Sequence, residues 1–137
     1  YFTTLSGGRY QLSRKREGAS RGYSGLDLEI YDAYSGGGRN VDTLSGGELF
    51  LASLSLAFGL SDVVQSYSGG VRLEPIFIDE GFGTLDEETL NTAMKALFEI
   101  QKSGRTVGII SHVAELKSRI PAQIRILDDH KIKVVLP

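Results

Sequence analysis

Apolar and polar positions alternate through Arg9-Tyr10-Gln11-Leu12-Ser13 and again through Leu26-Asp27-Leu28-Glu29-Ile30-Tyr31, the period of a half-buried strand. The Gly- and Ser-rich stretch 18–25 between them predicts the turn of a hairpin, and glycine-rich segment 34–40 reads as a loop. From Glu48 the period lengthens. Leu49, Ala52, Leu56, Leu60 and Val63 share one helical face, widened by Phe50, Leu54, Ala57 and Val64, which predicts a long, largely buried helix ending over residues 67–70. Residues 75–80 form a compact apolar run that stops at two acids, as a buried parallel strand does at its carboxyl end. Residues 84–86 predict the next helix start, with Glu87 and Glu88 where the helix dipole favours negative charge. Leu90, Met94, Leu97 and Phe98 give that helix its apolar face. Residues 106–110 predict another buried strand, 113–120 a short helix, and 124–127 with 132–136 a terminal hairpin. The order strand, helix, strand, helix, strand after residue 75 predicts an α/β layer with a parallel sheet.

The pentapeptide Thr-Leu-Ser-Gly-Gly occurs at residues 4–8 and 43–47. A strand follows the first copy and a long helix the second, so no duplicated unit is present. Apolar residues make up 41% and charged residues 23% of the chain, as in an ordinary folded domain. The absence of cysteine excludes disulfides and cysteine-ligated zinc. The longest apolar stretches fall short of the ~20 residues of a membrane helix, so no membrane partner is expected. The chain starts at Tyr1 with no methionine or leader pattern, which is expected of a segment of a longer protein.

Net charge is −2, unevenly spread: residues 1–22 hold Arg9, Arg14, Lys15, Arg16 and Arg21 against Glu17 alone. The strip Arg14, Lys15, Arg16 and Arg21 is a candidate for duplex DNA phosphates. A solvated strand edge guarded by cations is an equal alternative.

Three short stretches carry candidate chemistry. Ser45, Gly46 and Gly47 place a hydroxyl and two unhindered N–H groups just before the long helix, where unpaired donors favour phosphate; taken alone, a simple N-cap with no ligand is the default reading of the serine. Asp79 could hold Mg²⁺ through water, and Glu80 could take a proton from an attacking water; a bare acidic strand end is the alternative. His112 could reach a phosphate at the same sheet edge, or be a structural loop residue. His130, beside Asp128 and Asp129, is assigned no role.

Their order is more specific than any one of them. A Leu-Ser-Gly-Gly-Glu helix start, an apolar strand ending Asp79-Glu80, Gly-Thr-Leu-Asp at 83–86 and a strand ending Ser111-His112 together resemble the carboxy-terminal half of an ATP-binding-cassette ATPase head, a P-loop NTPase. Residues 44–48 are similar to the signature motif, 76–80 to the Walker B strand, 83–86 to the D-loop and 111–112 to the switch histidine. TLSGGELFLASLSLAFGLSDVV, IFIDEGFGTLDEETL and GIISHVAEL resemble the SbcC family, the SMC-like ATPase subunits of SbcCD nuclease complexes.

The resemblance implies that residues 1–137 form the carboxy-terminal lobe of such a head. The expected fold is α/β, a mostly parallel sheet flanked by helices, with a small amino-terminal antiparallel hairpin; residues 4–8 would be the turn where a returning coiled-coil helix enters the head. In this family two heads sandwich two ATP molecules. Ser45, Gly46 and Gly47 would then touch the ATP of another head. Asp86 would link the two sites, Asp79 support Mg²⁺, Glu80 act on the water and His112 sense the γ-phosphate. Implied partners are the amino-terminal half of the same head, a second head, an SbcD-type nuclease and double-stranded DNA, in a cytoplasmic, nucleoid-associated setting. No G-x-x-x-x-G-K-[ST] occurs, so the chain alone is expected neither to bind ATP tightly nor to hydrolyse it. The ATPase of a membrane transporter is the alternative, disfavoured by Glu48, by Gly81-Phe82 after the acids, and by the amino-terminal strands. A non-catalytic interaction module keeping the fold is a third reading.

Overall fold

The computed structural model describes residues 1–14, 27–67, 75–127 and 131–137. One helical turn, α1 (Phe2–Leu5), precedes three antiparallel strands, β1 (Tyr10–Arg14), β2 (Leu28–Asp32) and β3 (Gly37–Asn40). The turn expected at residues 4–8 is present: Gly7 and Gly8 take φ of 63° and 90°, conformations open to glycine, and reverse the chain into β1. The expected hairpin pairs Tyr10 with Asp32 and Arg14 with Leu28. Its turn, 18–25, lies outside the described residues.

Segment 34–40 is not wholly a loop. Gly37–Asn40 forms β3 and pairs with β2, Ile30 opposite Arg39. Gly38 lies against the far end of the Glu29 side chain, and this strand without apolar alternation is held by its backbone pairing with β2.

Helix α2 (Gly46–Tyr67) departs from the expected phase. Its buried face is Leu51, Ala52, Leu54, Ser55 and Phe58, whereas Leu49, Leu56, Leu60 and Val63 are exposed. The helix is apolar nearly all round, and this chain covers only one side of it. At 22 residues, with mean hydropathy 1.5 over its most apolar window, α2 is also long and apolar enough to cross a membrane by length and composition, contrary to expectation. Its Ser and Gly residues break the apolar runs without shortening the helix. One third of that window is buried, Phe58 fully so, and Asp62 near its end pairs with Arg105.

Strands β4 (Pro75–Asp79) and β5 (Thr106–Ile110) are parallel, joined through α3 (Glu87–Lys102). Leu90, Ala93, Met94, Ala96 and Leu97 of α3 enter the core with Ile78 and Phe82. Helix α4 (Ala114–Arg119) leads to β6 (Gln123–Ile126), which pairs with β7 (Ile132–Val135) as the expected terminal hairpin. Thus the strand after α4 does not extend the parallel pair. One side of β4–β5 is open: Phe77 is 72% exposed, its ring lying over Gly108, and Ile110 is also exposed.

Candidate functional site

Ser45 and Glu48 open α2 reciprocally. The Glu48 N–H donates to Ser45 Oγ at 3.3 Å, and the Ser45 N–H donates to Glu48 Oε2 at 2.8 Å. This is a capping box, which satisfies two otherwise unpaired donors at the helix start. It leaves the Ser45 hydroxyl hydrogen free to donate, and Ser45 and Gly46 are exposed. Gly47 is buried: a Cβ there would press on Leu85 and the Thr84 carbonyl, about 3.0 and 3.1 Å away. Glycine therefore lets the turn at 45–47 sit directly on residues 84–85.

A cavity of about 400 Å³ joins these elements, lined among others by Ser45, Gly47, Glu48, Thr84, Asp86 and Arg9. Asp86 is the N-cap of α3, accepting from the Thr89 N–H at 2.9 Å and the Thr89 hydroxyl at 2.7 Å. Those bonds hold its carboxyl below the ordinary value.

The second Glu48 oxygen faces the amino-terminal sheet. The Tyr10 hydroxyl donates to Oε1 in a short hydrogen bond, and Arg9 Nη1 lies 3.8 Å from the same oxygen. Burial pushes Tyr10 up to about 12, and the Glu48 contact adds to that. Burial also pushes the Glu48 carboxyl up, but the bonds from Tyr10 and Ser45 outweigh it and leave the group below its ordinary value.

Behind Tyr10 sits Asp32, only 3% exposed. Arg9 Nη2 and Arg39 Nη1 each approach its Oδ2 to 3.2 Å, and the Tyr34 N–H donates to Oδ1 at 3.0 Å. The Arg9 bond, first among these, lowers the Asp32 pKa against burial. Arg9 also stacks over Tyr10 and Tyr34, 4.6 and 4.9 Å from the ring centres. Sequence reasoning missed this cluster, although two signals were available. Alternation puts Asp32 on the inward face with Leu28 and Ile30, where an acid needs a cation. Ser45-x-x-Glu48 also reads as a capping box.

Glu80 and His112 meet elsewhere, where β4 and β5 end. The Glu80 N–H continues the ladder to the Ile110 carbonyl at 2.9 Å, and Glu80 then turns to φ 59°. A left-handed non-glycine costs on the order of 1 kcal/mol or more and clusters at functional sites. His112 Nδ1 lies 2.9 Å from Glu80 Oε2, both side chains being open to solvent. Gly81 follows at φ 95°, and a Cβ there would collide with the Phe50 ring. Phe50 also meets Phe82 edge-on at 5.0 Å. The α2 helix that carries Ser45 therefore packs onto the backbone next to Glu80.

Asp79 is exposed at the end of β4. Among the described residues no group of three or more potential metal ligands occurs. A single free carboxylate fits Mg²⁺, which keeps several waters and binds through one or two carboxylates plus phosphate oxygens. Of the basic strip, Arg14 is the exposed last residue of β1; Lys15, Arg16 and Arg21 lie outside the described residues.

Residues 20–99 match the family model described as SbcC/RAD50-like, Walker B motif. The SbcC component of the SbcCD nuclease from Staphylococcus haemolyticus (strain JCSC1435) is 62% identical over 117 residues, 85% of this chain and 12% of its own length. That of Staphylococcus aureus (strain JH9) is 56% identical over 126 residues, 92% of this chain and 12% of its own. The chain thus spans about 12% of the length of these curated relatives. A solved structure described as "Structural biochemistry of ATP-driven dimerization and DNA stimulated activation of SMC ATPases" aligns with TM-score 0.67 at 21% identity, covering 98% of this chain and 76% of that one. An SMC head domain from Thermotoga maritima aligns at TM-score 0.61 and 17% identity, covering 99% and 44%. At these identities the structures speak for fold alone. None of these matches supports the transporter reading.

Proposed function

Because the chain belongs to the SbcC/RAD50-like family, we propose that it forms the carboxy-terminal lobe of an ATPase head in a DNA-end-processing nuclease complex acting on nucleoid DNA. The observation that carries this reading is the grouping of motif residues into two half-sites. Ser45, Gly47 and Asp86 line one cavity, while Glu80 and His112 pair at the ends of β4 and β5. A lobe with two half-sites suits a two-head sandwich, in which each nucleotide lies between unlike surfaces of facing heads.

Mg²⁺-ATP, when bound, supplies the transferable γ-phosphoryl group and the cation that neutralises its charge. Ser45 donates its free hydroxyl hydrogen to a phosphate oxygen of the facing head's nucleotide, and Gly46 and the α2 start add N–H groups. On the other half-site Asp79 would hold Mg²⁺, which would supply charge neutralisation at the phosphates. Glu80 accepts the proton of the attacking water, and His112 turns from the Glu80 carboxylate toward the phosphate. Asp86 lies at the seam between heads. The amino-terminal half of the same head supplies the phosphate loop with its lysine and covers the open faces of α2 and β4–β5. Head closure on ATP gates an SbcD-type nuclease, and Arg14, Lys15, Arg16 and Arg21 meet duplex phosphates.

Co-expression tests the reading. The 137-residue chain alone should neither bind ATP tightly nor hydrolyse it. Joined to the upstream half of its head, it should do both and associate in pairs with ATP. Turnover by the purified chain alone contradicts the proposal.

A further inference from the structure

The signature serine is not placed by α2 alone. Ser45 is bonded to Glu48 in both directions, and Glu48 in turn takes the Tyr10 hydroxyl from β1. Arg39 of β3 reaches the Tyr10 oxygen at 3.5 Å and buried Asp32 of β2 at 3.2 Å. Arg9 closes the circuit by touching Asp32 and Glu48. The three strands of the amino-terminal sheet are thus connected, through Tyr10, to the one carboxylate that holds the backbone of Ser45. An ordinary N-cap needs none of this. A capping box is complete with its serine and glutamate, and the Glu48 oxygen not facing Ser45 could have stayed in water.

We infer that Tyr10 is a positioning residue for the nucleotide sandwich: through Glu48 it sets the signature turn, so that the place of the three-stranded sheet determines where Ser45 meets the facing head's phosphate. The inference rests on the trans role proposed above for Ser45. Tyr10 touches no nucleotide in this scheme. Its ring stacks on Phe2 at 5.5 Å, and only the hydroxyl reaches Glu48. Tyr10→Phe accordingly keeps the packing and removes the hydroxyl link, leaving the longer Arg9–Glu48 approach at 3.8 Å.

The test uses the full-length protein and follows ATP-driven head association and steady-state turnover. Tyr10→Phe should raise the ATP concentration for half-maximal association about tenfold, the scale of one charge-assisted hydrogen bond. Turnover at saturating ATP should stay within about twofold, because the lost interaction is made equally in ground and transition states. Glu48→Gln, whose amide can still accept from Ser45 and meet Tyr10, should retain most of the affinity. Glu48→Ala should lose it, and adding Tyr10→Phe to Glu48→Ala should change nothing more, as expected for two residues in one chain of contacts. Independent, multiplying effects of the two substitutions overturn the relay. An unchanged ATP requirement in Tyr10→Phe does so too. Ser45→Asp separates this failure from that of the underlying reading. Asp caps a helix as well as Ser does but repels phosphate. If Ser45→Asp abolishes association while Tyr10→Phe is silent, the sandwich stands and the relay falls. If Ser45→Asp leaves association intact, both fall.

Discussion

Around Ser45 the acids have donors: Asp32 has two arginines and a backbone N–H, Glu48 has Tyr10 and Ser45, and Asp86 has Thr89 twice. Around β4–β5 the reverse holds. Phe77 is 72% exposed, Ile110 is open beside it, and Leu60 on α2 is 65% exposed. Among the described residues Glu80 there has only a solvent-exposed histidine for company, a contact worth little in water. The first region is finished within this chain. The second has the hydrophobic surface and the open polar positions of something another segment completes. A half-site that works on a facing head has to be rigid on its own, whereas one that works with its own head can be left for its covering half to assemble.

The comparison breaks most visibly at Glu80. In the full-length protein Glu80→Gln should lower turnover about 100-fold or more, the scale of a lost general base, while ATP-driven association persists. Loss of association instead would mean that Glu80 belongs to the head contact. Phe50→Ala comes next. It empties the contact that seats Gly81 and Phe82 beside Glu80, and should slow hydrolysis about 10- to 100-fold, as sub-ångström displacements of reacting groups do, with melting and turnover measured together. Replacing Leu60 and Phe77 by Ser should reduce self-association of the 137-residue chain in sedimentation. In the assembled head each change should cost about 1.5–3 kcal/mol, the worth of a covered apolar side chain. If assembly is indifferent to both, that face is not covered there.

The smallest effect concerns pH. Asp32 and Glu48 sit below ordinary values of 3.8 and 4.5. Their stabilisation is therefore complete above those values and lost as pH falls through the lower folded ones. Asp32→Asn should be less stable near neutrality and lose less on acidification below about pH 4.5, read from urea midpoints across that range. A parallel loss in both proteins would show that Asp32 carries none of the acid sensitivity.

What could be read in advance divides along the same line. Helix α3 and strands β4 and β5 were legible because apolar period and acidic punctuation agree: Leu90, Met94 and Leu97 are buried as expected, and β4 ends at Asp79. The face of α2 was not, because the helix is apolar on both sides and nothing in its own letters tells which side this chain covers. β3 carries no alternation, and only its pairing with β2 makes it a strand. Of the motif residues, Ser45, Gly47 and Asp86 fall together and Glu80 joins His112. The Asp32–Tyr10–Glu48 chain escaped notice because its members lie 16 or more residues apart, so that only strand pairing and the seating of α2 against the sheet unite them. The two Thr-Leu-Ser-Gly-Gly segments show the same dependence on context. Gly7 and Gly8 are left-handed turn residues, whereas Gly46 and Gly47 are helical and Gly47 packs against Thr84 and Leu85.

The central claim is that Ser45 serves the nucleotide of the facing head while Glu80 serves its own. Mixing full-length Ser45→Asp protein with full-length Glu80→Gln protein, each nearly inactive alone, tests it most directly. In a mixed pair the intact Ser45 of one head faces the intact Glu80 of the other, which leaves one working site. Equal mixing should restore at most about a quarter of the wild-type ATPase rate, the value for random pairing, in which half the pairs are mixed and each has one site of two. A mixture as inactive as its components would place Ser45 and Glu80 of one head at the same nucleotide and contradict the account.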